Sequence, residues 1–166
     1  MSNMGSIRIS GINRESIVDG EGIRYVIFTQ GCPHHCPGCH NPQTHSFDGG
    51  KIVSVDTILD DISKRKAWLD GITLSGGEPF CQTDQCSMIA EKAHEMRLTV
   101  WCYTGYLFED LYGQENKLLK HIDILVDGPF VIEERSLELV FKGSRNQRVI
   151  DVPASLKEGA VILKQT

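Results

Sequence analysis

The chain has 166 residues, 40% of them hydrophobic and 23% charged, and its 17 basic and 22 acidic side chains leave a net charge of −5. That balance excludes a disordered chain and a basic nucleic-acid binder, and no apolar run approaches the ~18 residues needed to cross a bilayer. Length excludes a complete eight-unit barrel, because about 21 residues per unit fall short of the 30 or so that a βαβ element takes.

Met1 to Ser10 lacks the positive-then-apolar order of a secretion signal, so a cytoplasmic protein is expected, with residues 1–166 as one domain. Ile23 to Gln30 reads as the first buried strand, ending at Gly31 directly before a cysteine-bearing loop from Cys32 to Gly50. Ser54 is placed to cap a helix whose apolar stripe is Val55, Ile58, Leu59 and Ile62, with Lys64, Arg65 and Lys66 at its C-terminus. A strand at Ile72 to Leu74 runs into the turn Ser75-Gly76-Gly77, and a second helix from Thr83 to Met96 turns Cys86, Ile89, Ala90 and Ala93 inward. Leu98 to Tyr103 and Ile122 to Val126 are the third and fourth strands, separated by a helical stretch from Leu107 to Leu119 broken at Gly113. Val149 to Val152 and Ala160 to Leu163 read as further short strands. The alternation predicts an α/β fold with a largely parallel sheet, whose sites gather at the C-terminal strand ends.

Six cysteines in a reducing compartment are not a disulfide framework. Cys32, Cys36 and Cys39 cluster at C-x3-C-x2-C spacing, whereas Cys81, Cys86 and Cys102 are dispersed and read as small buried hydrophobes. Three close thiolates suit zinc or an iron–sulfur cluster. A [4Fe-4S] cluster takes four cysteines, so three would leave one iron open. Structural zinc competes, with a fourth ligand from His34, His35, His40 or His45, although His45 reads best as a plain loop residue. Three unligated thiols are the remaining alternative. A second signal is Ser75-Gly76-Gly77-Glu78-Pro79 after a strand, where the glycines permit close backbone approach and Glu78 adds an acceptor for a cationic amine.

Together the cysteine spacing and the Gly-Gly-Glu turn resemble the radical S-adenosylmethionine superfamily. The likeness is closer to the activating proteins of anaerobic ribonucleoside-triphosphate reductases. It is carried by Asp19-Gly20-Glu21-Gly22-Ile23-Arg24, Cys36-Pro37-Gly38-Cys39-His40-Asn41, Trp101 to Tyr106, Val126 to Phe130 and Lys142 to Arg148. Lys142 stands where that family more often has arginine.

The resemblance implies an incomplete (partial) TIM-like β/α barrel with a mostly parallel sheet. It also implies one [4Fe-4S] cluster on Cys32, Cys36 and Cys39, with S-adenosyl-L-methionine chelating the fourth iron. Gly76, Gly77 and Glu78 would then border the methionyl group. Gly38 replaces the aromatic residue that many members carry there, which leaves adenine to the backbone of Gly38 and Cys39 and to neighbours such as His40. No catalytic residue is assigned beyond the cluster. The implied reaction is reductive cleavage of the cofactor to methionine and a 5′-deoxyadenosyl radical, which takes hydrogen from a glycine Cα of the reductase. Implied partners are that large glycyl radical subunit and an electron donor such as flavodoxin or ferredoxin, with no nucleic acid and no membrane. The alternatives are an activase of the pyruvate formate-lyase type, a small-molecule radical enzyme such as a deazaguanine synthase, and a non-catalytic zinc-stabilised binding module. Asp127 reads equally as a site organiser and a turn residue, Tyr103 as site or core. Lys142, Arg145 and Arg148 form a basic loop that is either solvated or in contact with a partner.

Overall fold

The computed structural model describes residues 5–39, 41–113 and 116–165. In chain order the elements are β1 (Ser6–Ser16), β2 (Arg24–Thr29), β3 (Lys51–Ser54), α1 (Val55–Arg65), β4 (Gly71–Gly76), α2 (Thr83–Glu95), β5 (Thr99–Tyr103), α3 (Phe108–Tyr112), β6 (Ile124–Asp127), β7 (Arg148–Asp151) and α4 (Val152–Glu158). The strands form one sheet in the order β3-β1-β2-β4-β5-β6-β7. β2, β4, β5 and β6 pair in parallel, while β1 and β7 run against their neighbours. The parallel centre agrees with the sequence reading, but the strand at Arg24–Thr29 is the second of the chain. β1 precedes it and lies between it and β3.

One face of the sheet is covered by the helices. Ile27, Leu74, Cys102, Leu125 and Ile150 stand in register across β2, β4, β5, β6 and β7, all buried, because alternate strand residues share a face. Against them pack Val55, Ile58, Leu59 and Ile62 of α1, and Cys86, Ile89, Ala90 and Ala93 of α2. Each fully buried Leu or Ile contributes roughly 1.5–3 kcal/mol. Ser54 occupies the N-cap of α1, yet its hydroxyl makes no capping bond. Val152 belongs to α4 rather than to a strand. Asp151 accepts from the Ala154 N–H at 3.0 Å and a proline lies in the first turn, so the chain is committed to a helix there. Residues 160–163 contribute only the single bridge Ile150–Leu163.

The opposite face is built differently. Arg24, 1% exposed, donates to Thr73 Oγ1 at 2.9 Å and to the carbonyls of Glu21, Ile72 and Thr99. Its guanidinium lies 5.6 Å from the Trp101 ring, and burial draws its pKa from 12.5 down to about 10, so it remains a cation at neutral pH. Phe141 packs edge-on against Trp101 at 5.1 Å and adopts φ +65°, a conformation that costs a bulky side chain about 1–3 kcal/mol. This column of Arg24, Trp101 and Phe141 ties the β6–β7 connection to the floor of the sheet. Among the described residues no helix is long and apolar enough to cross a membrane.

Candidate functional site

A cleft of about 400 Å³ opens at the C-terminal ends of the four parallel strands, within the size range of ligand sites. Cys32, Cys36 and Cys39, all free thiols, line one wall, and Ser75, Gly76, Gly77, Thr104, Gly105 and Gly128 line the other. Each group continues a strand: Cys32 follows β2, the glycine turn ends β4, Thr104 follows β5 and Gly128 follows β6. The spacing of the cysteines is realised in a loop that doubles back on itself. The Gly31 N–H donates to the Thr44 carbonyl at 2.7 Å and the Cys32 N–H to the His45 carbonyl at 3.1 Å. Buried Gln30 clamps the returning limb through the carbonyls of Gln43 and Ser46. Burial pushes the Cys32 thiol above its usual pKa. The Asn41 N–H points at Cys39 Sγ, 3.4 Å away.

The glycine turn is stitched to this loop through backbone. Gly77 N–H donates to Thr29 and Glu78 N–H to Gly31, each at 2.8 Å. Gly76 has φ +93°, and a Cβ on Gly77 would lie 2.5 Å from the Gly31 carbonyl oxygen, so only glycine allows the two strands' ends to meet. Glu78 is fully buried. Its carboxylate accepts from the Gly105 N–H at 2.8 Å, the Phe80 N–H at 3.1 Å and the Thr104 hydroxyl, which lies within 2.9 Å of both oxygens. His34 Nε2 approaches Glu78 Oε1 at 2.6 Å, and its ring packs edge-on to Tyr106 at 4.6 Å. The carboxylate therefore holds together the loops after β2, β4 and β5 and does not line the cleft, whereas the turn's backbone does.

The remaining wall is the β6–β7 connection, from which Phe130, Phe141, Lys142 and Gln147 reach the cleft. Lys142 Nζ is held by the Gln147 carbonyl at 3.0 Å. Asp127, fully buried, accepts both from the Phe108 N–H at 2.8 Å and from Arg148 at 3.0 and 2.5 Å. Arg148 also forks onto Glu109 at 2.6 and 3.1 Å; its bonds to Asp127 first and Glu109 second raise its pKa, and the fork lowers that of Glu109. Arg148 is thus an internal clasp rather than a free docking cation, and Asp127 is its anchor. Arg145 stands exposed.

Gly38, at φ +75°, lies under Ile132 and Phe130, which occupy the space a side chain there would take. His40 lies outside the described residues. Cys86 and Cys102 are buried as small hydrophobes, but Cys81 is exposed, which corrects its expected burial. Tyr103 lines the cleft. Sequence reasoning missed Phe130, Ile132 and Phe141. Their signal, two widely spaced phenylalanines after a strand-ending Asp-Gly, is a weak one.

Among the described residues no group of three His, Cys, Asp or Glu side chains is close enough to hold a single metal ion. Three thiols on one wall, with a backbone N–H directed at one sulfur, nonetheless match the donor chemistry of an iron–sulfur cluster. A family profile described as a 4Fe-4S single cluster domain matches residues 18–150, which defines the class: the chain belongs to that family of iron–sulfur domains. The anaerobic ribonucleoside-triphosphate reductase-activating protein of Haemophilus influenzae is 33% identical over 138 residues, covering 79% of this chain and 89% of that one. The protein of the same name from Escherichia coli is 33% identical over 141 residues, covering 80% and 91%. The chain belongs to the family of anaerobic ribonucleoside-triphosphate reductase-activating proteins. Among solved structures, QueE from Escherichia coli aligns at 13% identity with a TM-score of 0.46, covering 74% of this chain and 70% of that one, a likeness too distant to inform the site.

Proposed function

We propose that this protein installs a glycyl radical on anaerobic ribonucleoside-triphosphate reductase, with Cys32, Cys36 and Cys39 holding one [4Fe-4S] cluster and the fourth iron left to S-adenosyl-L-methionine. The observation that carries the reading is the shared cleft: three free thiols face a glycine turn at parallel strand ends, in a chain of this family. When bound, the cluster would supply the electron, and S-adenosyl-L-methionine the adenosyl group, for removal of a hydrogen atom from a glycine Cα of the reductase.

The chain's own residues orient and shield. Gly76 and Gly77 offer backbone to the methionyl group, with Glu78 behind them fixing the turn. Gly38, Cys39 and His40 border adenine, and Phe130 and Ile132 supply the apolar cover that glycine at position 38 does not. Residues 1–166 act as one radical S-adenosylmethionine unit, arranged as a partial β/α barrel whose open side the reductase closes, excluding water from the radical. A cytoplasmic setting and a flavodoxin or ferredoxin donor accord with this chemistry.

The test is anaerobic reconstitution with the reductase. A glycyl radical seen by electron paramagnetic resonance, dependent on S-adenosylmethionine, is expected, with iron and sulfide in cluster proportion. Full activity with stoichiometric zinc and no iron would overturn the proposal, as would turnover of a free small molecule with no response to the reductase.

A further inference from the structure

Two histidines line the cleft, and they differ in one respect. His34 Nε2 is committed to Glu78 at 2.6 Å, whereas His45 Nε2 is buried with no hydrogen-bond partner. A buried polar nitrogen left unpaired is costly enough that nearly all such groups in folded proteins find a partner.

The His45 backbone is pinned: its carbonyl accepts from Cys32 N–H, its own N–H donates to Pro42 at 3.2 Å, and Gln30 holds the carbonyls on either side of this turn. The His35 ring packs edge-on against it at 5.5 Å. His45 therefore lines the same cleft as the three thiols and is joined to Cys32 through its own carbonyl. Thiolate and sulfide sulfur are negatively charged acceptors, and hydrogen bonds to cluster sulfurs raise the reduction potential by stabilising the more negative, reduced state.

Resting on the cluster reading above, we infer that His45 Nε2–H donates a hydrogen bond to a sulfur of the cluster held by Cys32, Cys36 and Cys39. His45 is then a positioning residue that makes the cluster easier to reduce, and it binds no iron itself.

The experiment is a redox titration of the full-length, anaerobically reconstituted protein without S-adenosylmethionine, followed by electron paramagnetic resonance. His45→Phe keeps a ring and removes the donor. It should shift the reduced-to-oxidised ratio at fixed potential about tenfold toward oxidised, which for one electron is a midpoint about 59 mV lower. His45→Gln retains an N–H donor and should move the midpoint back toward the unsubstituted value. An unchanged midpoint in a fully iron-loaded His45→Phe overturns the inference. A second readout does not depend on that variant assembling. In protein carrying 15N-labelled histidine, the reduced cluster should show a weak nitrogen coupling that is lost in His45→Gln. No such coupling, or one strong enough for a direct iron ligand, overturns it as well. Zinc in place of iron and sulfide would be a separate result, removing the cluster reading and this inference with it.

Discussion

The two faces of the sheet bury their side chains by opposite means. On the helix-covered face, the rung from Ile27 through Leu74, Cys102 and Leu125 to Ile150 is held by volume and dispersion. Arg24 on the other face, and Glu78 and Asp127 at the C-terminal ends of the strands, are buried because each has specific donors or acceptors. The first arrangement tolerates any side chain of similar size and shape. The second tolerates almost none, because removing one partner leaves another buried and unpaired. Packing volume governs the first, and matched hydrogen bonds hold the loops that frame the cleft.

Substitutions that should affect one face and spare the other sharpen that contrast. The largest effect is expected from Cys32→Ala, Cys36→Ala or Cys39→Ala. Each should abolish a stable cluster, read as lost iron and sulfide, while thermal unfolding stays close to that of the unsubstituted apoprotein. Leu74→Ala should cost about 2–5 kcal/mol by denaturant unfolding, yet iron per folded molecule should not change; a cluster lost from the folded fraction would break the division. Glu78→Gln comes next, at about 1–3 kcal/mol, with a disproportionate fall in cofactor cleavage as the loops carrying His34, Thr104 and Gly105 loosen. Normal cleavage at reduced stability would show that this carboxylate is only a structural tie.

Gly77→Ala sets the two effects against each other. The 2.5 Å approach of a Cβ to the Gly31 carbonyl shows that the cysteine loop itself must move. Iron retention should therefore fall together with S-adenosylmethionine affinity, and full iron content would contradict this. The smallest effect concerns Glu109, whose pKa Arg148 holds below the ordinary 4.5. Its contribution is complete above that ordinary value and disappears as pH falls through the lowered one. The Tm difference between the natural protein and Glu109→Gln should accordingly be small at pH 7 and vanish on acidification. A gap that persists at low pH would rule out this ion pair as its source.

What was legible in the sequence follows the same division. The stripes of α1 and α2 could be read residue by residue, because a helix against one apolar face imposes a 3.6-residue period. β1 could not: Ile7 and Ile9 alternate only briefly before Gly11, and register shifts after Ile9 and Asn13 break the pattern. β3 is a four-residue edge strand in which Ile52 is exposed and only Val53 packs against the core, too little alternation to signal a strand. α4 was readable from Asp151, Pro153 and Gly159, but the β-branched run before it favours a strand. At the site, the cysteines and the Gly-Gly turn declare themselves by spacing. The inward turn of Glu78 does not, because its direction is decided by Thr104 and Gly105, more than twenty residues away.

One pairing in the sheet has a bearing on how the metal enters. Ile9 stands opposite Thr29 on one side and Lys51 on the other. Those two residues are the ends of the cysteine loop, so a single residue of β1 keeps its two ends about 10 Å apart, twice the spacing of neighbouring strands. Closing a loop of that length costs configurational entropy, and here the sheet meets that cost before any ligand arrives. On the proposed ligand set the cluster would dock into a segment whose ends are already anchored, unlike a zinc finger, in which the metal must gather the chain. Loss of iron in air would then leave a folded shell able to take up a new cluster, and repair would require only reloading rather than resynthesis.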